Sequence, residues 1–301
     1  MANPDYEYQD KHVDEIIVRN FAFEFPDDLD PIWCPSSRVR SHMFNGFSLT
    51  MPYLEPYLIK SSQEASAEID DPELLDDMRL FNAQEARHYQ CHRRLNDLLK
   101  KNGYPELATV EDRLAESFKK LRTKSLTTQL AFNAGFESMT IGFTNWLVNK
   151  RLKLFAHSSP HVSSFWLMHM VEEIEHKTVA YDAYMAYSGR YLPRAIGVLH
   201  GSLHVFGFGL MAMFTALRKD KANGIQASKL SIVKEIASLV VNVGPAILRA
   251  MLPWHNPRHE QDPQWTKDWL AGHAMLPADQ PLPLIDTNDP TMPPPFGVAG
   301  A

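Results

Sequence analysis

Two Glu-x-x-His motifs, Glu85-Ala86-Arg87-His88 and Glu173-Ile174-Glu175-His176, constrain this chain more than any other feature. Residues three apart share one face of a helix, so each motif would present a carboxylate and an imidazole together. The bare pattern is weak. With 17 Glu and 13 His in 301 residues, chance alone supplies roughly 0.7 such motifs, and one copy is more often a solvated helix face. Two copies, each inside a helical pattern, need the rest of the chain to decide between these readings.

That pattern is helical from about residue 50 onward. Residues 1–40 read as an arm, with Glu15-Ile16-Ile17-Val18 and Phe21-Ala22-Phe23 suited to short strands or extended packing between prolines. Helices are expected over 54–69, stopped by Asp70-Asp71-Pro72, and over 73–101, closed by Asn102-Gly103. Thr109-x-x-Asp112 has the form of a capping box opening a third region, broken near Ser125 and running to about 155. One further helix is expected over 162–187, ending at Gly189. The uncharged stretch 195–217 and another apolar helix over 230–251 follow, then a proline-rich tail expected to lie exposed from Pro277. The chain therefore divides into an arm (1–40), a four-helix bundle (41–190), additional apolar helices (191–255) and a tail (256–301).

Glu-x-x-His on two helices, with one Glu from each of two others, is the ligand set of ferritin-like dinuclear carboxylate proteins. The two missing carboxylates follow from geometry. Antiparallel neighbours whose ligands meet at one level need their turn midway between them. Midway between Glu55 and Glu85 is residue 70, at the Asp70-Asp71-Pro72 break, whereas Glu64 would miss the level by roughly 9 Å. Midway between Glu137 and Glu173 is residue 155, beside the His157–Pro160 loop. Glu137 also follows an apolar run, where an unpaired carboxylate is costly. His92 and His169 extend the two ligand faces by one turn, so the candidate metal ligands are Glu55, Glu85, His88, His92, Glu137, His169, Glu173 and His176. His92 and His169 suit direct ligation or support of a ligand equally. Glu172, Glu175 and Asp182 read as supporting or surface groups. Asn133, Phe136, Thr140, Trp146 and Trp166 read as core, some of them against a substrate cavity, and His200 and His204 as satisfied core histidines.

Several segments resemble the bacterial family of predicted metal-dependent hydrolases: Phe44-Asn45-Gly46-Phe47-Ser48-Leu49, Gln84-Glu85-Ala86-x-His88-x-x-x-His92, and Met168-His169-x-x-Glu172-Glu173-Ile174-Glu175-His176-Lys177. Pro253-Trp254-His255-Asn256-Pro257 resembles that family's closing motif. The His-x-x-x-Glu-x-x-His arrangement is also similar to dinuclear-iron arylamine N-oxygenases, which implies a third histidine at the site. The first ligand departs from the family pattern, since Leu54-Glu55-Pro56 stands where Gly-Glu-aromatic is usual.

The fold expected is all-α, a ferritin-like four-helix bundle with an N-terminal arm and additional C-terminal helices. Apolar residues at 45% and charged residues at 22% exclude disorder, collagen and coiled coil. A net charge of −6 without a basic block argues against a nucleic-acid partner. Two cysteines, Cys34 and Cys91, and an acidic start without an apolar core point to a reducing, cytoplasmic setting. The 195–217 stretch is long enough for a bilayer. Burial against 230–251 is the first reading there and peripheral membrane association the second. No nucleotide-binding glycine loop, nucleophile elbow or zincin motif occurs. The cofactor expected is two iron ions, with manganese or zinc as alternatives, and the partners a small-molecule substrate and a second copy of the chain. Oxygen-dependent oxidation of an organic substrate is placed first, hydrolysis by a metal-bridged hydroxide second, and ferroxidase or iron handling third.

Overall fold

In the computed structural model, which describes residues 3, 6–8, 15–277 and 280–296, helix α1 (Arg38–Ser66) begins well before residue 54. Ser37 caps it by accepting from the Arg40 amide, and Pro52 and Pro56 lie inside it. Prolines normally interrupt a helix by removing a donor and crowding the preceding turn, which is why the helical pattern was not legible upstream of them. Helix α2 (Pro72–Lys101) starts as expected, with the Asp71 carboxylate accepting from the amides of Glu73 and Leu74. The α1–α2 turn therefore falls at the midpoint that the ligand spacing requires.

Helices α3 (Ala108–Leu121) and α4 (Leu126–Asn149) break at Ser125, whose hydroxyl accepts from the Thr128 amide. The capping box expected at Thr109 does not form. Leu107 takes the cap position, and the Thr109 hydroxyl donates back to the Glu106 carbonyl. After α5 (Arg151–Phe155), the single helix expected over 162–187 is two: α6 (Pro160–Glu175) and α7 (Val179–Tyr187). The interruption falls on His176, whose carbonyl accepts from the Val179 amide at 2.9 Å. Helices α8 (Tyr191–Ala222), α9 (Lys229–Ala250) and α10 (Gln264–His273) complete the chain. Among the described residues every long element is helical. The arm segments at 15–18 and 21–23 form neither helix nor strand, since no partner strand pairs with them.

Helix α4 is buried on nearly every side, with α6, α7, α8 and α9 all packed against it. Helix α8 packs mainly on α4 and α1 rather than on α9, contrary to expectation. Small residues set this approach. A Cβ at Gly197 would lie 1.9 Å from the Ala131 carbonyl oxygen, and one at Gly46 would lie 2.1 Å from that of Gly209. The tail is not free either. Thr287 donates to the Ser158 carbonyl at 2.7 Å, the Ile285 amide donates to Ser164 at 2.7 Å, and Met292 is buried. His204 bonds the Ser117 hydroxyl through Nε2 at 2.7 Å but leaves its Nδ1 buried without a partner, and His200 is exposed at the edge of the Phe132 ring, so neither is the satisfied core histidine expected.

Candidate metal centre

All eight candidate ligands are buried and converge between α1, α2, α4, α6 and the turn after α6. Helix α1 brings Glu55, α2 brings Glu85, His88 and His92, and α4 brings Glu137. Helix α6 brings His169 and Glu173, and the break after it brings His176. Their donor atoms form overlapping groups able to hold a metal ion: Glu85, Glu137, Glu173 and His176 in one, and Glu55, Glu85 and His88 in another. Glu173 reaches both halves. Its Oε1 lies 2.8 Å from His169 Nε2 and its Oε2 3.3 Å from His176 Nε2. Glu85 Oε1 similarly lies 3.3 Å from His176 Nε2 and 3.7 Å from His88 Nδ1.

The fit to metal ions rests on atoms left over. Both carboxylate oxygens of Glu55, both of Glu137, Glu85 Oε1 and His88 Nδ1 are buried without a hydrogen-bond partner. Buried polar groups are normally bonded, and stranding this many carboxylate oxygens is costly. Electrostatics point the same way. Burial and the nearby Glu85 push the Glu55 carboxyl well above the ordinary range, and burial with Glu173 and Glu85 does the same to Glu137. Glu173 goes the other way: burial is outweighed by His176 and His169, which hold it well below that range. Four carboxylates sharing one dry site need positive charge, and divalent ions supply it. Carboxylate and imidazole donors suit iron, manganese or zinc.

Each imidazole is aimed by its other nitrogen, the arrangement that orients metal-binding histidines. His88 Nε2 bonds Glu172 at 2.7 Å, His176 Nδ1 bonds Gln84 Oε1 at 2.8 Å, and His169 Nδ1 bonds His92 Nε2 at 3.0 Å. His92 is in turn held by the Ser48 hydroxyl at 2.8 Å. Its ring therefore spends both nitrogens on Ser48 and His169. Behind these sits a residue that sequence reasoning missed. Arg19 in the arm is 2% exposed, grips Glu175 through two bonds of 2.6 Å and touches Glu172 at 3.3 Å. Glu175 also accepts from Gln84 at 2.9 Å, so one guanidinium braces both His88 and His176. Phe21 seals the site, its ring centroid 4.7 Å from that of His88 and the two rings edge to face. An arm outside any helix or strand carries no periodicity, and nothing in the sequence placed it here. Asp182, buried, belongs elsewhere: it holds Arg258 at 2.7 Å and ties α7 to the segment after α9.

Beside the cluster lies a narrow apolar cavity of about 20 Å³, walled by Phe47, Phe136, Met139, Thr140, Phe143, Trp166 and Phe206, with His169 and Glu173 also lining it. Trp146 instead stacks on Phe44, and Asn133 donates to Ser61.

An all-helical bundle with a buried carboxylate–imidazole cluster defines a class of metal-dependent helical proteins. The chain belongs to the family described as predicted metal-dependent hydrolases, whose sequence model matches residues 17–261. The match spans the arm's Arg19 as well as every candidate ligand. No curated protein and no solved structure matches the chain. Family membership backs the hydrolytic reading rather than the oxidation placed first from the ligand pattern.

Proposed function

We propose that the chain is a metal-dependent hydrolase whose cluster holds two divalent ions and whose substrate presents an apolar group to the adjoining aromatic wall. The observation that carries this reading is the set of stranded carboxylate oxygens at the centre of a member of this family. Glu137 and His176 would hold one ion, Glu55, His88 and His169 the other, and Glu85 and Glu173 both, since these two reach each half of the cluster. Bound there, such ions supply Lewis acidity and make water nucleophilic near neutral pH.

The chain's own residues do the rest. Arg19, Glu172, Gln84 and His92 fix the three rings, so their inward nitrogens stay aimed without searching rotamers. Phe21 on one side and the cavity aromatics on the other limit bulk water, which strengthens every charge interaction inside. The same apolar walls favour an ester or amide with an apolar acyl group over a charged one.

A second reading, oxygen-dependent oxidation at two iron ions, draws support from the dry cavity and the mixture of four carboxylates with three aimed imidazoles. One experiment separates them. Protein loaded anaerobically with Zn(II), Mn(II) or Fe(II) should bind about two ions per chain and hydrolyse apolar nitrophenyl esters in the zinc or manganese form. Fe(II)-loaded protein that consumes oxygen stoichiometrically, while no metal form turns over any ester, would transfer the assignment to oxidation. Binding of less than one ion per chain would remove both.

A further inference from the structure

The hairpin of α8 and α9 turns an apolar face outward. On α8, Leu192, Ile196, Leu199 and Leu203 follow helical spacing and are 44–65% exposed. On α9, Val233, Val240, Val241 and Leu248 do the same at 60–70%. The two helices are tied at their far ends, where the Tyr191 hydroxyl donates to the Met251 carbonyl at 3.1 Å and Arg194 donates to that of Ala250 at 2.8 Å. Both also pack on α4. Their outward stripes thus lie side by side as an unpartnered apolar surface, the kind of contiguous patch that marks an interaction site.

Charge says what covers it. Between Arg190 and Arg249 stand eight Lys and Arg against two carboxylates, in a chain whose net charge is −6. Both carboxylates are turned inward: Asp220 onto His42 and Tyr104 at 2.8 and 2.6 Å, and Glu235 onto Arg40 at 2.9 Å. Outside remain Arg218, Lys221, Lys229 and Lys234 near the turn and Arg190 at the other end, all exposed. Tyr191 and Trp254 are exposed at that same end, 46% and 73%. Apolar stripes flanked by cations and interfacial aromatics are the pattern of a surface that lies in lipid headgroups. A second copy would bring the same cations and no exposed carboxylate of the hairpin to meet them.

We propose that the outward face of the α8–α9 hairpin docks on an anionic lipid bilayer and lies in its surface. Both helices have the length and hydropathy of membrane spans, but the inner face of α8 is fastened to α1 and α4 through Gly209 and Gly197, so the hairpin cannot leave the bundle to cross. The docked face also borders the cavity. Val205 and Phe206 line it from α8, while Leu203 and Gly207, a few residues away, face outward, with open space beside Gly207. A single helix thus separates bilayer from cavity, a position suited to a lipid-soluble substrate. The docking itself does not depend on which reaction the cluster performs.

The test is flotation of the full-length protein with vesicles of phosphatidylcholine alone or mixed with phosphatidylglycerol. Binding is expected on the mixed vesicles, weakening with salt, and emission of Trp254, the exposed tryptophan, should shift to the blue. Combining Lys221→Glu, Lys229→Glu and Lys234→Glu should weaken partitioning about a hundredfold. Combining Leu203→Ser, Val241→Ser and Leu248→Ser should abolish it, with the helical circular-dichroism signal and melting retained because these side chains support no core. Three outcomes overturn the proposal. One is absence of binding to mixed vesicles, and another is binding indifferent to the serine substitutions. The third is a solution dimer that the same substitutions split, which would make the face a contact between copies.

Discussion

At the scale of single residues, the cluster was readable because ligation demands particular side chains at helical spacing, and spacing survives in sequence. Glu55, Glu85, Glu137 and Glu173 converge as the midpoint argument requires. What supports them was not readable. Arg19 acts across 153 to 156 residues of chain from an arm without periodicity, and it became visible only once the arm lay over α6. Its weight can be measured. Arg19→Met would keep most of the side-chain volume but give up the guanidinium contact over the Trp269 ring at 5.2 Å and leave the Glu172 and Glu175 carboxylates buried without their cation. Breaking one side of such a pair costs about 3–5 kcal/mol. Urea denaturation should show that loss, and adding Glu172→Gln and Glu175→Gln to the same protein should recover part of it. A loss below about 1 kcal/mol would mean the arm does not brace the site.

Among elements, the errors share a cause: tertiary contacts overrode local signals. The first helix was expected only from residue 54, yet α1 starts at Arg38 and runs through Pro52 and Pro56 because its buried neighbours hold it. The 162–187 segment read as one helix, yet it parts at His176, where the ring's bonds to Gln84 and Glu173 replace helical continuity. The tail read as exposed because proline-rich sequence lacks periodicity, but Thr287 and Met292 find specific partners. Helix α8 offers a test in which one substitution type has opposite signs. Gly197→Ala would place a Cβ 1.9 Å from the Ala131 carbonyl, forcing α8 and α4 apart at a cost of about 1–3 kcal/mol. Gly207→Ala meets nothing within 4 Å, so removing a flexible glycine from the helix should raise stability by up to about 1 kcal/mol. Urea midpoints that move the same way for both would show that α8 is not seated by its glycines.

For the molecule as a whole, the fold carries a conflict between stability and the site it encloses. The bundle buries four carboxylates around one point, and burial with like-charge repulsion raises Glu55 and Glu137 well above ordinary carboxylates. Folding without metal therefore works against itself at the centre of the core, and metal binding relieves it. Two consequences follow for the purified protein. Saturating Zn(II), Mn(II) or Fe(II) should raise the melting temperature, since a ligand at a hundred times its Kd adds about 2.7 kcal/mol to the native state. Glu137→Gln should do the reverse of what loss of a buried polar contact ordinarily does. Both oxygens of Glu137 lack hydrogen-bond partners, so a neutral amide of the same shape removes repulsion and leaves little unsatisfied that was satisfied before. The metal-free variant should melt higher than the metal-free parent, by the equivalent of about 1–2 kcal/mol, while its gain on adding metal shrinks or vanishes. Calorimetry of the four states, parent and variant each with and without metal, reads both numbers at once. A metal-free Glu137→Gln protein that melts below the parent, or a parent indifferent to all three metals, would show that the stranded carboxylates are not held in place for ions.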